Sequence, residues 1–201
     1  MSKTYQLKKL LLSFSAVLFV GSAATASAQD TVNVGISVSA TGPAASLGVP
    51  ERNTFELLPD TLGGLPVNYI ILDDATDPSA AGRNARKLIS SDKVDVIIGS
   101  STTPTSLVIA QIAEEQHVAQ LGLAPFNTGT NKWVFSVPQS YAVMYRALFE
   151  EMKKRGVKNV AYIGFGDAQG EAGHREVSAL ATEFNIPMVA NERYGRGDQS
   201  V

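Results

Sequence analysis

The chain contains no cysteine. That excludes disulfides, thiolate nucleophiles, Cys-rich zinc sites and Cys-ligated iron–sulfur clusters together. Its two histidines, His117 and His174, lie far apart, and neither has a second histidine at ligand spacing. No Gly-x-Ser-x-Gly elbow and no Walker loop occurs, so hydrolase chemistry has no recognisable carrier. Basic residues do not dominate: 17 Lys and Arg stand against 19 Asp and Glu. Without a basic patch, nucleic acid is not an expected partner. The chain also lacks solenoid-length repeats and low-complexity tails. These absences favour a binding protein over an enzyme, with no cofactor and no metal.

One long apolar run is present, and it is too short to span a membrane. Leu10 to Val20 follows a basic start (Lys3, Lys8, Lys9) and leads into the small-residue sequence Ala26-Ser27-Ala28. A spanning helix needs about 20 apolar residues. Basic start, short apolar run and small-x-small ending are the marks of a cleavable signal peptide, so residues 1–28 read as a leader cut after Ala28. Its removal takes three lysines, leaving 14 basic residues against 19 acidic ones. The mature protein is expected to be soluble, mildly acidic and periplasmic.

Hydrophobic residues make up 44% of the chain, enough for a packed core. Short runs rich in Val and Ile recur: Val32–Val38, Val67–Leu72, Val94–Gly99, Val118–Leu123, Trp133–Val137, Val160–Phe165 and Met188–Ala190. Between most of them lie stretches of helical period. Examples are Ala81, Ala85, Leu88 and Ile89, then Tyr141, Met144, Tyr145, Leu148, Phe149 and Met152. Alternation of this kind means βαβ units around a parallel sheet, an α/β fold. Right-handed crossovers then put the C-terminal strand ends on one rim. Asp77-Pro78 and Thr103-Pro104 each offer a capping side chain before a first-turn proline, and Pro50 is placed at the start of the first helix. Pro59 is expected to end that helix, with an irregular turn over Leu58 to Gly64. Residues 29–137 read as one lobe and 138–201 as the start of a second. Two strands are fewer than a complete doubly wound lobe uses, so the second lobe reads as incomplete. Its open strand edge at Met188–Ala190 is expected to promote aggregation.

Ligands of open α/β sheets bind at the C-terminal rim. The densest polar segment there is Ser100-Ser101-Thr102-Thr103, hydroxyls at a helix start where backbone N–H groups and the helix dipole favour a carboxylate or phosphate. Asp73, Asp74 and Asp77 read as cap and loop acceptors rather than as a metal site. Gly164-Phe165-Gly166, Gly170 and Glu192 offer an alternative, a dinucleotide site of an oxidoreductase fragment. Its spacing is one residue too long, and Asp167 would face the pyrophosphate. A ligand-sensing or interaction module is a further alternative.

Four segments in order, Ser39-Ala40-Thr41-Gly42-Pro43, Asp73-Asp74-Ala75-Thr76-Asp77-Pro78, Lys87-Leu88-Ile89 and Ile98-Gly99-Ser100-Ser101-Thr102, resemble the branched-chain amino acid-binding (leucine-binding protein) family of ABC importers. These are type I periplasmic solute-binding proteins, and the resemblance covers about Val32 to Val201. It implies two lobes closing on a small carboxylate or amino acid, an inner-membrane ABC permease as partner, and a monomer at full length. By position, the hydroxyl meeting the ligand carboxylate falls at Thr103, with Ser101 and Thr102 beside it. The segment meeting an ammonium falls at Ala124 to Phe126, and the contact to the ligand side chain at Leu47. Gln169 stands where the family commonly has an aromatic residue, and Phe126 where small polar residues are frequent. An aliphatic amino acid, an aromatic acid or another small carboxylate all fit that pattern.

Overall fold

The computed structural model describes residues 31–198, and the expected signal peptide with its cut after Ala28 lies outside them. The elements run β1 (Val32–Val38), α1 (Ala45–Phe55), β2 (Thr61–Leu62), β3 (Leu65–Asp73), α2 (Pro78–Ser90), β4 (Val96–Gly99), α3 (Thr103–Gln116), β5 (Ala119–Gly122) and β6 (Val134–Ser136). They continue with α4 (Tyr141–Lys154), β7 (Val160–Phe165), α5 (Ala168–Phe184) and β8 (Met188–Tyr194). The larger sheet has the order β2-β3-β1-β4-β5-β6, and β7 pairs with β8 in a second sheet. All pairings are parallel except β2 with β3. This is the α/β architecture that the alternating pattern implied.

The central strand β1 is covered on both faces. Val34, Ile36 and Val38 point to one side, among Phe55, Tyr69, Ile71 and Ile98. On the other side, Ile97 packs with Ala81, Ala85 and Leu88 of α2 and Ile109 and Ile112 of α3. The small alanines let α2 approach closely while Leu88, fully buried, fills the gap. A separate core beside β7 and β8 holds Phe149 of α4 against Val177, Leu180 and Ala181 of α5. Arg146 and Glu183 join these two helices through two hydrogen bonds of 2.7 Å.

Local chemistry departs from expectation at several points. Asp77 caps α2 as expected, accepting from Ser79 N at 2.8 Å. Thr103 does not cap α3: Thr102 holds the cap position, and Thr103 is the first helical residue. Pro50 lies inside α1, not at its start. Over Leu58 to Gly64 the chain forms the entry to a tight hairpin, with Leu62 opposite Leu65. Gly63 and Gly64 turn it at φ +59° and +86°, backbone that other residues rarely adopt. His174 lies beyond the first turn of α5, bonded to Ser178 and Asn191.

The rim of the large sheet is held by one buried carboxylate. Asp74 follows β3 and is fully buried. Its oxygens accept from Ser37 Oγ (3.0 Å), Ser39 Oγ (2.7 Å), Ser100 Oγ (2.5 Å) and Thr76 N (3.1 Å). It thereby joins the ends of β1, β3 and β4. Its neighbour Asp73 accepts from Thr41 Oγ1 at 2.6 Å and Ala75 N at 2.8 Å. Slight burial works to raise Asp73, but these bonds outweigh it and hold the carboxyl below its usual range. The three acids thus serve as acceptors for hydroxyls and backbone N–H groups in this rim.

Removing the buried anchor leaves several donors unsatisfied at about 1–3 kcal/mol each. Asp74→Ala is expected to lower stability by about 3 kcal/mol or more, read as a lower urea midpoint, with Asp73→Asn costing far less. Equal midpoints for the wild type and Asp74→Ala would show that Asp74 is not the anchor.

Candidate functional site

The site is built where β4 and β5 end. Thr103 and Phe126 line a cleft of about 800 Å³ whose opposite wall includes Tyr141, Ala168, Glu171 and Arg175. Thr102 and Pro104 line a smaller recess of about 220 Å³, facing Asp167 and Arg196. Both openings thus lie between the rim of the large sheet and the elements around β7 and β8. Ala124 is buried and its carbonyl accepts from Ser136 Oγ at 3.2 Å. Phe126 turns its ring into a core with Ala110, Ala113 and Val134. Leu47 sits half-exposed on α1. Gln169 stands in the first turn of α5, where its Oε1 accepts from Arg196 at 2.6 Å. Ser101, Ala124, Leu47 and Gln169 line neither opening.

Each rim hydroxyl has one proton to give, and each proton is committed. Ser101 Oγ accepts from Ser39 N at 2.9 Å and donates to Glu51 Oε2 at 2.5 Å. Thr105 Oγ1 donates to the Thr102 carbonyl at 2.9 Å, so Thr102 Oγ1 must donate to Thr105 Oγ1 at 2.7 Å. Thr103 Oγ1 donates to the Pro125 carbonyl at 2.9 Å, which leaves Tyr141 as the donor across the 3.1 Å contact between their hydroxyls. Burial above all pushes the Tyr141 phenol above its ordinary value, consistent with a donor role. What remains for an anion at this corner is the start of α3, whose first N–H groups have no intrahelical partners. A hydroxyl can also swing to an ionised oxygen, because charge-assisted bonds are roughly twice as strong as neutral ones.

Across the cleft, Arg196 is held in place from three sides. It donates through Nε to Asp167 and through Nη2 to Gln169, both at 2.6 Å, and its guanidinium lies 4.1 Å from the centre of the Phe165 ring. Asp167 also caps α5, accepting from Gln169 N (2.8 Å) and Gly170 N (3.2 Å). That carboxylate occupies the place a pyrophosphate would need, and Glu192 lies within β8 opposite Ile163 rather than beyond the strand. Gly170 serves packing: a Cβ there would sit 1.7 Å from the Phe165 carbonyl oxygen. The dinucleotide alternative fails on this geometry.

Three residues escaped the sequence reading. Tyr141 reads as part of an apolar helical stripe. Glu51 follows Leu47 by one turn but carries no motif. Arg196 lies in a polar segment whose partners are 27 and 29 residues away.

Residues 31–201 match the periplasmic binding protein family, and the chain belongs to its type I branch. An extracellular ligand-binding receptor from Rhodopseudomonas palustris HaA2 is 40% identical with a TM-score of 0.83, over 85% of this chain and 48% of its own. A solute-binding protein of an ABC transporter from R. palustris BisB5, solved with 3,4-dihydroxybenzoic acid, is 28% identical at TM-score 0.77, over 83% of this chain and 48% of its own. A leucine-binding protein from Thermotoga maritima MSB8, 24% identical at TM-score 0.73, covers 84% of this chain and 50% of its own and shares the fold. The chain thus spans about half the length of the solved proteins it matches. No curated protein compared with the chain matches it.

The Thr103–Tyr141 bond connects the two walls of the cleft. At about 1 kcal/mol for a net hydrogen bond, Tyr141→Phe is expected to raise amide exchange in the first turns of α3 and α4 about fivefold, while the central strands are unaffected. Unchanged exchange in those turns would remove the bond as a connection between the walls.

Proposed function

We propose that the protein is the periplasmic solute-binding component of an ABC importer and carries a small carboxylate to an inner-membrane permease. The observation that carries this reading is the convergence of an anion-favouring helix start, bearing Thr102 and Thr103, with the Arg196 guanidinium on the far wall. Such a pair suits a ligand carboxylate: N–H groups and hydroxyls on one side, a planar cation on the other. Asp167 and Gln169 would pre-orient the guanidinium, so little side-chain entropy is lost when a ligand arrives. Thr102 and Thr103 would form the donor rim and Phe126 part of the wall, while Ser101, Ala124 and Leu47, which line neither opening, are given no ligand contact. Gln169 would act through Arg196 rather than on the ligand.

In this reading, residues 29–137 form the first lobe and residues from 138 onward begin the second, with closure about the connection burying the ligand. The leader at 1–28 would direct export. Both a branched-chain amino acid and an aromatic acid fit. The aromatic acid is favoured by the 28% identical relative solved with 3,4-dihydroxybenzoic acid and by the apolar Phe126 where a polar residue would suit an ammonium.

Calorimetric titration of protein from the complete reading frame tests this, with benzoate, 4-hydroxybenzoate and leucine as probes. At least one is expected to bind at micromolar affinity or better. Thr103→Ala and Arg196→Gln are each expected to weaken that binding about tenfold or more, as a lost bond to a charge of ~1.5–3 kcal/mol implies. Absence of binding by all three acids, or unchanged affinity in both variants, would overturn the assignment.

A further inference from the structure

Tyr141 is the first residue of α4 and follows the connection that leaves β6. It lines the cleft of about 800 Å³ together with Thr103. Their hydroxyls meet at 3.1 Å, and Tyr141 is the donor because Thr103 gives its own proton to the Pro125 carbonyl. Asp167 and Arg196 also lie within electrostatic reach of the Tyr141 phenol. The residue therefore stands where the two walls meet.

The helix behind Tyr141 is bound to α5 along its length. Tyr145, one turn on, stacks against Tyr141 with ring centres 6.1 Å apart. The Tyr145 hydroxyl is a partner of the Tyr162 hydroxyl, which donates to the Gly170 carbonyl of α5 at 2.8 Å. Gly173 leaves room for both phenols: a Cβ there would lie 2.6 Å from the Tyr162 oxygen and 2.9 Å from that of Tyr145. Further along, Phe149 packs on Val177 and Leu180, and Arg146 pairs with Glu183. Helices α4 and α5 are thus held as one body. That body also carries Asp167 and Gln169, which grip Arg196. Thr103 on one wall and Arg196 on the other are connected through Tyr141.

A carboxylate arriving at the α3 start draws the Thr103 proton away from Pro125, while the Thr103 oxygen stays in place. That oxygen keeps a lone pair for Tyr141. A hydroxyl that donates to an anion is polarised and becomes the better acceptor, so the bond from Tyr141 strengthens. We infer that the Tyr141 hydroxyl is a latch between the cleft walls: it holds Thr103 in the free protein, tightens when a ligand carboxylate takes the Thr103 proton, and slows ligand release. Tyr141 acts through Thr103 and is a positioning residue, not a ligand contact. The inference rests on the small-carboxylate reading.

Protein from the complete reading frame is titrated with benzoate, 4-hydroxybenzoate and leucine, and the tightest binder is used for stopped-flow kinetics. Tyr141→Phe removes a single oxygen. It is expected to raise the dissociation rate about fivefold, the scale of one net hydrogen bond, with the association rate within about twofold of wild type. Thr103→Val keeps the shape of the side chain without its hydroxyl. In that background, adding Tyr141→Phe is expected to change the dissociation rate by less than about twofold, because the bond is already gone. In a Thr103→Ser background, which retains the hydroxyl, the effect of Tyr141→Phe is expected to persist. An unchanged dissociation rate in folded Tyr141→Phe overturns the inference, as does a full effect of Tyr141→Phe in the Thr103→Val background. In both cases the small-carboxylate reading stands. Amide exchange of the wild type needs no variant to fold: ligand is expected to slow the first turn of α4 at least about threefold, and no slowing there overturns the latch as well. Failure of all three acids to bind removes the reading and the inference together.

Discussion

A single buried carboxylate organises the rim of the larger sheet. Asp74 has no cationic partner among the described residues and is satisfied by three serine hydroxyls and a backbone N–H. Such a group is costly to bury unless its donors are placed well. Because the donors come from the ends of three strands, satisfying Asp74 also sets where those ends stand relative to each other. The rim is thus a hydrogen-bonded object before it meets any ligand, with Ser100 held against Asp74 and Ser101 held between Ser39 and Glu51.

The consequence is a site whose hydroxyls are already in use. Counting protons shows Ser101, Thr102 and Thr103 each donating within the protein. Preorganisation of this kind limits the entropy lost on binding, but it also determines which ligand groups are welcome at which end. The α3 start and Arg196 favour an anion. The wall around β7 and β8 contributes Arg196 through a chain of contacts, Asp167 capping α5 while gripping the guanidinium and Gln169 holding its second edge. One carboxylate serves two purposes there, and it also makes the same helix start unavailable to a phosphate.

Much of the fold was legible because burial writes itself into local pattern. Val32–Val38 and Val160–Phe165 have the limits that their apolar runs imply. The Ala81, Ala85, Leu88 stripe is the buried face of α2. Legibility failed where two local rules competed. Thr103-Pro104 looks like a cap before a first-turn proline, yet the helix begins one residue earlier, with Thr102 at the cap position and the Thr103 hydroxyl bonded instead to the Pro125 carbonyl. Pro50 looks like a start signal, yet α1 begins at Ala45 and runs through it, with Gly48 packed against the Ser39 carbonyl.

The sequence by itself determined the βαβ alternation, the polar rim at Ser100–Thr103 and the family, because hydrophobic period and short motifs are properties of neighbouring residues. Only the tertiary structure decided which atoms of that rim are donors and which are acceptors. Glu51 meets Ser101 across 50 residues and Thr103 meets Tyr141 across 38. Hydrogen-bond polarity depends on where each proton goes, and that is settled by partners the chain brings together only on folding.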